Sequence, residues 1–354
     1  MNRHAYGVSL GLLLVLSVLI SACATPGPRS MLSRAKPWSY FGTIPDPFWW
    51  SDKVEVGQLH KNAKKYGNGR TVAILDSGFA AYQPDVTPPT RVNPSGVETC
   101  SATPTKNIDD INGHGTAMAV IALGDERPDF IVSPGKPGSA TGGIAPKANL
   151  LPIKVACGVS TADSVTRGLD IAVKPIAVTP ALKKVDVILL ALGGWPSDRN
   201  SQNETIHAHL SKVVTKNRDI LFVVASVWDG TTSMFPTWTA EENVIVVAAM
   251  TLKPGTPPIE DYYSDKRGDI WAPGRDVETA FIDYGNPKYS GKYGEYLMQG
   301  TSAAAAIVAG CAAAVKLDAD TKAMTLKKRL TDKAATNTLP GGEPRLNCLG
   351  AVTP

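Results

Sequence analysis

The chain has 354 residues, 43% of them hydrophobic, and a formal charge of +4. That excludes a disordered polymer and allows one large or two modest cores. The charge is spread thinly, without the basic runs that mark nucleic-acid partners, and no fixed-period repeat or sustained heptad is present.

Arg3 is followed by a stretch, Ala5 to Thr25, without a charged residue, closed by Ile20-Ser21-Ala22-Cys23. A basic start, an apolar centre and small residues at the end predict a secretory signal peptide over residues 1–22. The run is nearly long enough to span a membrane, but Gly7, Ser9, Gly11 and Ser17 weaken that alternative. A cysteine at the end of such a leader resembles the lipobox of bacterial lipoproteins. The resemblance implies acylation of Cys23 and a membrane anchor through the N-terminal lipid, in the bacterial cell envelope. Ala24 after it fits sorting to the outer membrane of a Gram-negative cell. Residues 23–47 read as the lipidated cysteine and a Pro/Ser-rich tether. Pro47-Phe48-Trp49-Trp50 reads as an apolar knot docked on the domain surface, and residues 48–354 as one globular domain.

Within that domain, apolar runs at 71–75, 150–156, 185–192, 220–226 and 244–250 predict strands buried on both faces. Helical patterns fall between and after them, at about 115–123, 162–174, 203–217, 302–316 and 321–334. This alternation predicts an α/β fold: a doubly wound, mostly parallel sheet with helices on both faces and its site at the carboxyl ends of the strands. The proline-rich segment 80–108 reads as an insertion without periodicity. Beyond Cys23, the four cysteines Cys100, Cys157, Cys311 and Cys348 allow three disulfide connectivities in an export compartment. Pairing Cys100 with Cys157 and Cys311 with Cys348 closes the shorter loops, while a free buried thiol at Cys311 stays open.

Three short motifs can carry chemistry. LDSG (75–78) runs an apolar strand into Asp76, which alone is equally a turn aspartate. NGHGTAMAV (112–120) sets His114 between glycines at the start of a small-residue helix; the bland alternative is a structural histidine. GTSAAAAIVAG (300–310) sets Ser302 at a helix start, where a serine is usually an N-cap. Asp109 and Asp110 read as loop-solvating residues.

Taken together, Asp76, His114 and Ser302 occur in the order Asp…His…Ser, each at a strand end or helix start. The chain here resembles the subtilisin-like serine proteases over roughly Val72 to Val315. ALGG (191–194) resembles the family's SLGG substrate strand; YYS (262–264) and WAPG (271–274) resemble segments that precede its serine block; GTSAAAAIVAG matches GTSMAAPHVAG in length. The resemblance implies an envelope-anchored serine endopeptidase, a monomer acting on peptide or protein substrates through an acyl-enzyme. Ser302 is the expected nucleophile, His114 the base and Asp76 its orienting carboxylate. Leu192, Gly193 and Gly194 are expected to pair with an extended substrate. No cofactor is required; structural calcium occurs in the family, but no ligand set maps onto this chain.

The sequence departs from the family in three places. Where an AAGN-like turn supplies a second oxyanion donor, this chain has Ala225-Ser226-Val227-Trp228. Trp228 stands at the asparagine's position; in subtilisin itself, loss of that donor costs about 10²–10³ in turnover. Val227 in place of glycine narrows the primary specificity pocket. The 52 residues from Ala24 to Leu75 leave little room for the family's propeptide. These departures support an alternative reading: a catalytically weak or silent member of the fold that binds peptides or a partner protein.

Overall fold

A computed structural model describes residues 32–33, 49–62, 66–80, 91–125, 142–178, 181–192, 200–226, 241–253, 259–264, 268–282, 293–315 and 323–353. Eight strands form the main sheet: β1 (Thr71–Asp76), β2 (Val97–Glu98), β3 (Asn149–Lys154), β4 (Val187–Leu190), β5 (Leu221–Ala225), β6 (Val244–Lys253), β7 (Ile259–Tyr262) and β8 (Ile270–Pro273). Their order is β7-β6-β5-β4-β1-β3-β2, with β8 also pairing with β6, and every pairing is parallel except β6 with β7. The chain passes from β1 to β3 on one side and then returns across β1 to place β4 on the other. The strand order therefore reverses around β1, a switch point where open α/β sheets place their sites.

The apolar runs make this sheet because both of its faces are covered. Val72 and Ile74 of β1 enter one core with helices α1 (His114–Leu123) and α4 (Thr301–Ala314), while Ala73 and Leu75 enter the other. That second core is closed by α2 (Ala162–Ala172) and α3 (Asn200–Lys216). Strict alternation between two cores is what a near-continuous apolar strand requires. An antiparallel pair, β9 (Val277–Ile282) and β10 (Tyr293–Met298), precedes α4. Helices α5 (Ala323–Ala335) and α6 (Cys348–Val352) complete the first core.

Each predicted strand and helix is present, with ends shifted by a few residues. The knot expectation holds for its described half: Trp49 and Trp50 are buried, and the Trp49 indole N–H donates to the Arg275 carbonyl at 3.1 Å. Part of the segment 80–108, read as an insertion without periodicity, joins the sheet. Val97–Glu98 forms the edge strand β2, and the Thr99 hydroxyl behind it donates to the Ser164 carbonyl at 2.8 Å. Two residues are too short a run to leave a periodic signature.

Both disulfides of the shorter-loop pairing form, Cys100–Cys157 and Cys311–Cys348, so Cys311 is not a free thiol. The second ties α4 to α6. The first is the more accessible and closes a separation of 57 residues. Loop-closure entropy gives such a bond a ceiling of about 4 kcal/mol. Replacing Cys100 and Cys157 together by serine is expected to lower unfolding free energy by about 2–4 kcal/mol, read as a lower denaturant midpoint.

Candidate active site

The site is assembled at the carboxyl edge of the sheet, where β1, β4 and β5 end. Asp76 is the last residue of β1 and is 2% exposed. Its carboxylate accepts the Ser77 N–H at 2.7 Å and faces Nδ1 of His114 at 2.8 and 2.9 Å. His114 is the first residue of α1. The glycines around it have separate tasks. Gly113 caps the helix at φ 92°, a left-handed conformation that glycine adopts without strain. A Cβ on Gly115 would lie 2.2 Å from the Gly78 carbonyl oxygen and 3.1 Å from Cβ of Asp76. Only a residue without a side chain lets the helix start sit on the aspartate turn.

Asp110 supplies what Gly113 lacks as a cap, and the expectation that it solvates the loop is wrong. It is 1% exposed. One carboxylate oxygen accepts from the N–H groups of Asn112 and Gly113 and from the Ser77 hydroxyl at 2.7–3.0 Å. The other accepts from both the N–H and the hydroxyl of Thr116, at 2.8 and 2.7 Å. Ser77 Oγ in turn accepts the Gly115 N–H at 2.9 Å. A buried carboxylate with five donors at a helix N-terminus is both paired and favoured by the helix dipole. Four of the five donors lie within six residues of Asp110 and the fifth is Ser77, just beyond β1, so the loop closes on this carboxylate and is tied by it to the end of that strand.

Burial works against a charged His114, but the Asp76 charge and hydrogen bond, with a further contribution from Asp110, outweigh it. The imidazole pKa is raised above its ordinary 6.5. A raised value means that charged His114 contributes stability that is complete below about 6.5 and is lost as pH rises through the folded-state value.

Ser302 lies second in α4, not at its N-cap; Gly300 holds that place, and no side chain caps the helix. Thirteen of the 14 residues of α4 are buried, and the exception is Ser302. Its hydroxyl donates to the Ala191 carbonyl, just beyond β4, at 3.1 Å. Among the described residues no hydrogen bond joins it to His114. Thr301 pins the helix start from the other side by donating to the Ser226 carbonyl at 2.8 Å. The N–H groups at an uncapped helix start remain donors with positive dipole beside the hydroxyl.

The structure thus brings Asp76 and His114 into direct contact and places Ser302 on the carbonyl beyond the neighbouring strand. Leu192 follows Ala191, and its side chain packs partly buried against the second core. Gly193, Gly194, Val227, Trp228 and Cys23 lie outside the described residues. Among the described residues no helix is long and apolar enough to cross a membrane.

Comparison with known proteins places this geometry. The model of the subtilase family, peptidase S8, matches residues 67–348. The thermostable alkaline protease of Halalkalibacterium halodurans is 28% identical over 279 residues, covering 77% of this chain and 63% of that protein. The subtilisin-like serine protease Pen ch 13 of Penicillium rubens is 27% identical over 272 residues, covering 72% of this chain and 59% of that protein. The match thus spans only about three fifths of these relatives' length. Among solved structures, the sphericase fold aligns with a TM-score of 0.58 at 23% identity, over 80% of this chain and 91% of that one. MycP1 with its N-terminal propeptide removed aligns with a TM-score of 0.59 at 20% identity, over 86% and 96%.

Proposed function

Since the chain belongs to the subtilase family, we propose that it is a serine endopeptidase in which Asp76, His114 and Ser302 act as one relay. Ser302 Oγ attacks the scissile carbonyl carbon while His114 Nε2 takes the hydroxyl proton. The C–N bond breaks as that proton passes to the leaving amine, giving an acyl-enzyme on Ser302. Water, deprotonated by the same imidazole, then releases the acid. Asp76 holds Nδ1–H and stabilises the imidazolium. The N–H groups at the start of α4 serve the developing oxyanion, with Trp228 as a further candidate donor. Leu192, Gly193 and Gly194 pair with the peptide, and Val227 restricts its primary side chain. The chemistry calls for no metal.

The observation that carries this reading is the contact of buried Asp76 with His114 Nδ1 at 2.8 Å, together with an apolar helix whose one accessible residue is Ser302. For attack, the hydroxyl leaves the Ala191 carbonyl and turns to the imidazole. Apo sites commonly show such slack. We further propose that the protein is exported and held in the envelope by lipid on Cys23, working there as a monomer on peptide or protein substrates.

The engaged hydroxyl also favours a second reading, a silent member that binds extended peptides through the same cleft. An alkyl fluorophosphonate separates the two. The enzyme reading expects a covalent adduct mapped by mass spectrometry to the peptide containing Ser302. Failure of the folded protein to take the label would reject that reading. The silent reading then expects peptide binding that depends on Gly193 or Trp228 and is indifferent to Ser302.

A further inference from the structure

Among the described residues, three charged side chains are fully buried: Asp76, Asp110 and Lys154, the last 3% exposed. Burying a charge costs several kcal/mol unless the surroundings compensate it, so charged groups seldom go fully inside without a return. The two carboxylates have theirs in His114 and the start of α1. The mechanism above leaves Lys154 unused. It closes β3, directly opposite Asp76 in the parallel ladder, so the two side chains leave the sheet on the same face. Its chain neighbours Leu150, Leu151, Ile153 and Val155 are all apolar and buried, and an apolar residue would satisfy the strand equally well. Lys154 Nζ instead donates to the Asp109 carbonyl at 2.6 Å, one residue before Asp110. Among the described residues it makes no ion pair, so it neutralises neither carboxylate by contact.

We infer that Lys154 is a positioning residue for the Asp76–His114 pair. Its ammonium fixes the Asp109–Asp110 turn, and its charge opposes the imidazolium that two buried carboxylates favour. Without it, His114 would be held protonated to higher pH and would be a poorer base near neutrality. The other charged groups around α1 are few. Asp109 and Asp110 come from the preceding loop, Asp76 from β1 and Glu278 from β9; α4 carries none. At the far end of α1, Arg91 donates to the Leu123 carbonyl and pairs with Asp125. Among the described residues Lys154 is thus the one fully buried cation at the histidine end.

The consequence for turnover rests on the protease reading; the titration of the ring does not. The test is an NMR titration of ring-¹⁵N-labelled histidine in the full chain, with His114 assigned by loss of its signal in a His114→Gln variant. Lys154→Met and Lys154→Gln both remove the charge, and glutamine keeps an N–H donor for Asp109. Both are expected to raise the His114 pKa by about one unit, and Lys154→Arg to leave it near the wild-type value. An unmoved ring in a folded neutral variant would overturn the inference. Loss of folding in both neutral variants, with arginine tolerated, would also overturn it by assigning the ammonium to stability alone. A shifted ring in a protein whose Ser302 refuses the fluorophosphonate would sink the protease reading and leave the charge assignment standing.

Discussion

Replacing Ser302 by alanine is expected to reduce peptide hydrolysis by about 10³–10⁴-fold while leaving stability almost unchanged. The scale comes from subtilisin, where losing the nucleophile costs about 10⁶ in turnover. On the proposed reading the chain starts lower, because Trp228 stands where that enzyme has the asparagine donor whose loss costs about 10²–10³; about 10³–10⁴ is what then remains to lose. Stability should hardly move, because Ser302 is the one residue of α4 outside the core and its single hydrogen bond is to Ala191. A half-buried hydroxyl bonded to one carbonyl contributes about 1 kcal/mol. The measurement is kcat on a fluorogenic peptide alongside a denaturant melt. Equal activity in both proteins would mean that the hydrolysis comes from a contaminant or from another site. A large fall in stability would make the activity loss uninformative and would contradict the placing of Ser302 outside the packed core.

What the sequence made legible and what it hid have one physical cause, the range over which each signal acts. Strands such as Val187–Leu190 announce themselves because burial on both faces forces every residue to be apolar. The run of small residues in α4 announces a helix that other elements approach closely on all sides. Asp76, His114 and Ser302 were each ambiguous alone and became persuasive only through their order. Asp110 escapes such reading because a lone acidic residue in a polar loop resembles any solvated one; its five donors converge only after Ser77, Asn112, Gly113 and Thr116 fold together. Lys154 did leave a trace, as a charge inside the apolar run LLPIKVA. A lysine there either ends the strand or has a buried task, and β3 does end at that residue. The edge strand β2 was lost in a proline-rich stretch because two residues cannot show a period.

Asp76→Asn tests the geometry more finely, because it preserves shape and changes only charge and donor pattern. In the wild type one carboxylate oxygen accepts the Ser77 N–H at 2.7 Å. An asparagine must keep an acceptor there, since among the described residues Asp76 is the acceptor of this buried backbone N–H. Its carboxamide oxygen therefore faces Ser77, and its NH₂ group is turned towards His114 Nδ1. Nδ1 must then be the acceptor, and the imidazole proton moves to Nε2. A protonated Nε2 cannot take the proton of Ser302. The same exchange in a chymotrypsin-type protease costs about 10⁴ in kcat, and removing the aspartate of subtilisin costs about 3 × 10⁴; a drop of that order is expected here, with KM nearly constant. The pH dependence supplies a second readout with a definite sign. The charge and hydrogen bond of Asp76 are what raise the His114 pKa against burial. Removing them lowers it, so the acidic limb of the residual activity should move to lower pH and the histidine-linked stability below about 6.5 should vanish. An acidic limb that stays in place, with activity within tenfold of wild type, would show that His114 is not governed by Asp76, and the relay would have to be built from other groups.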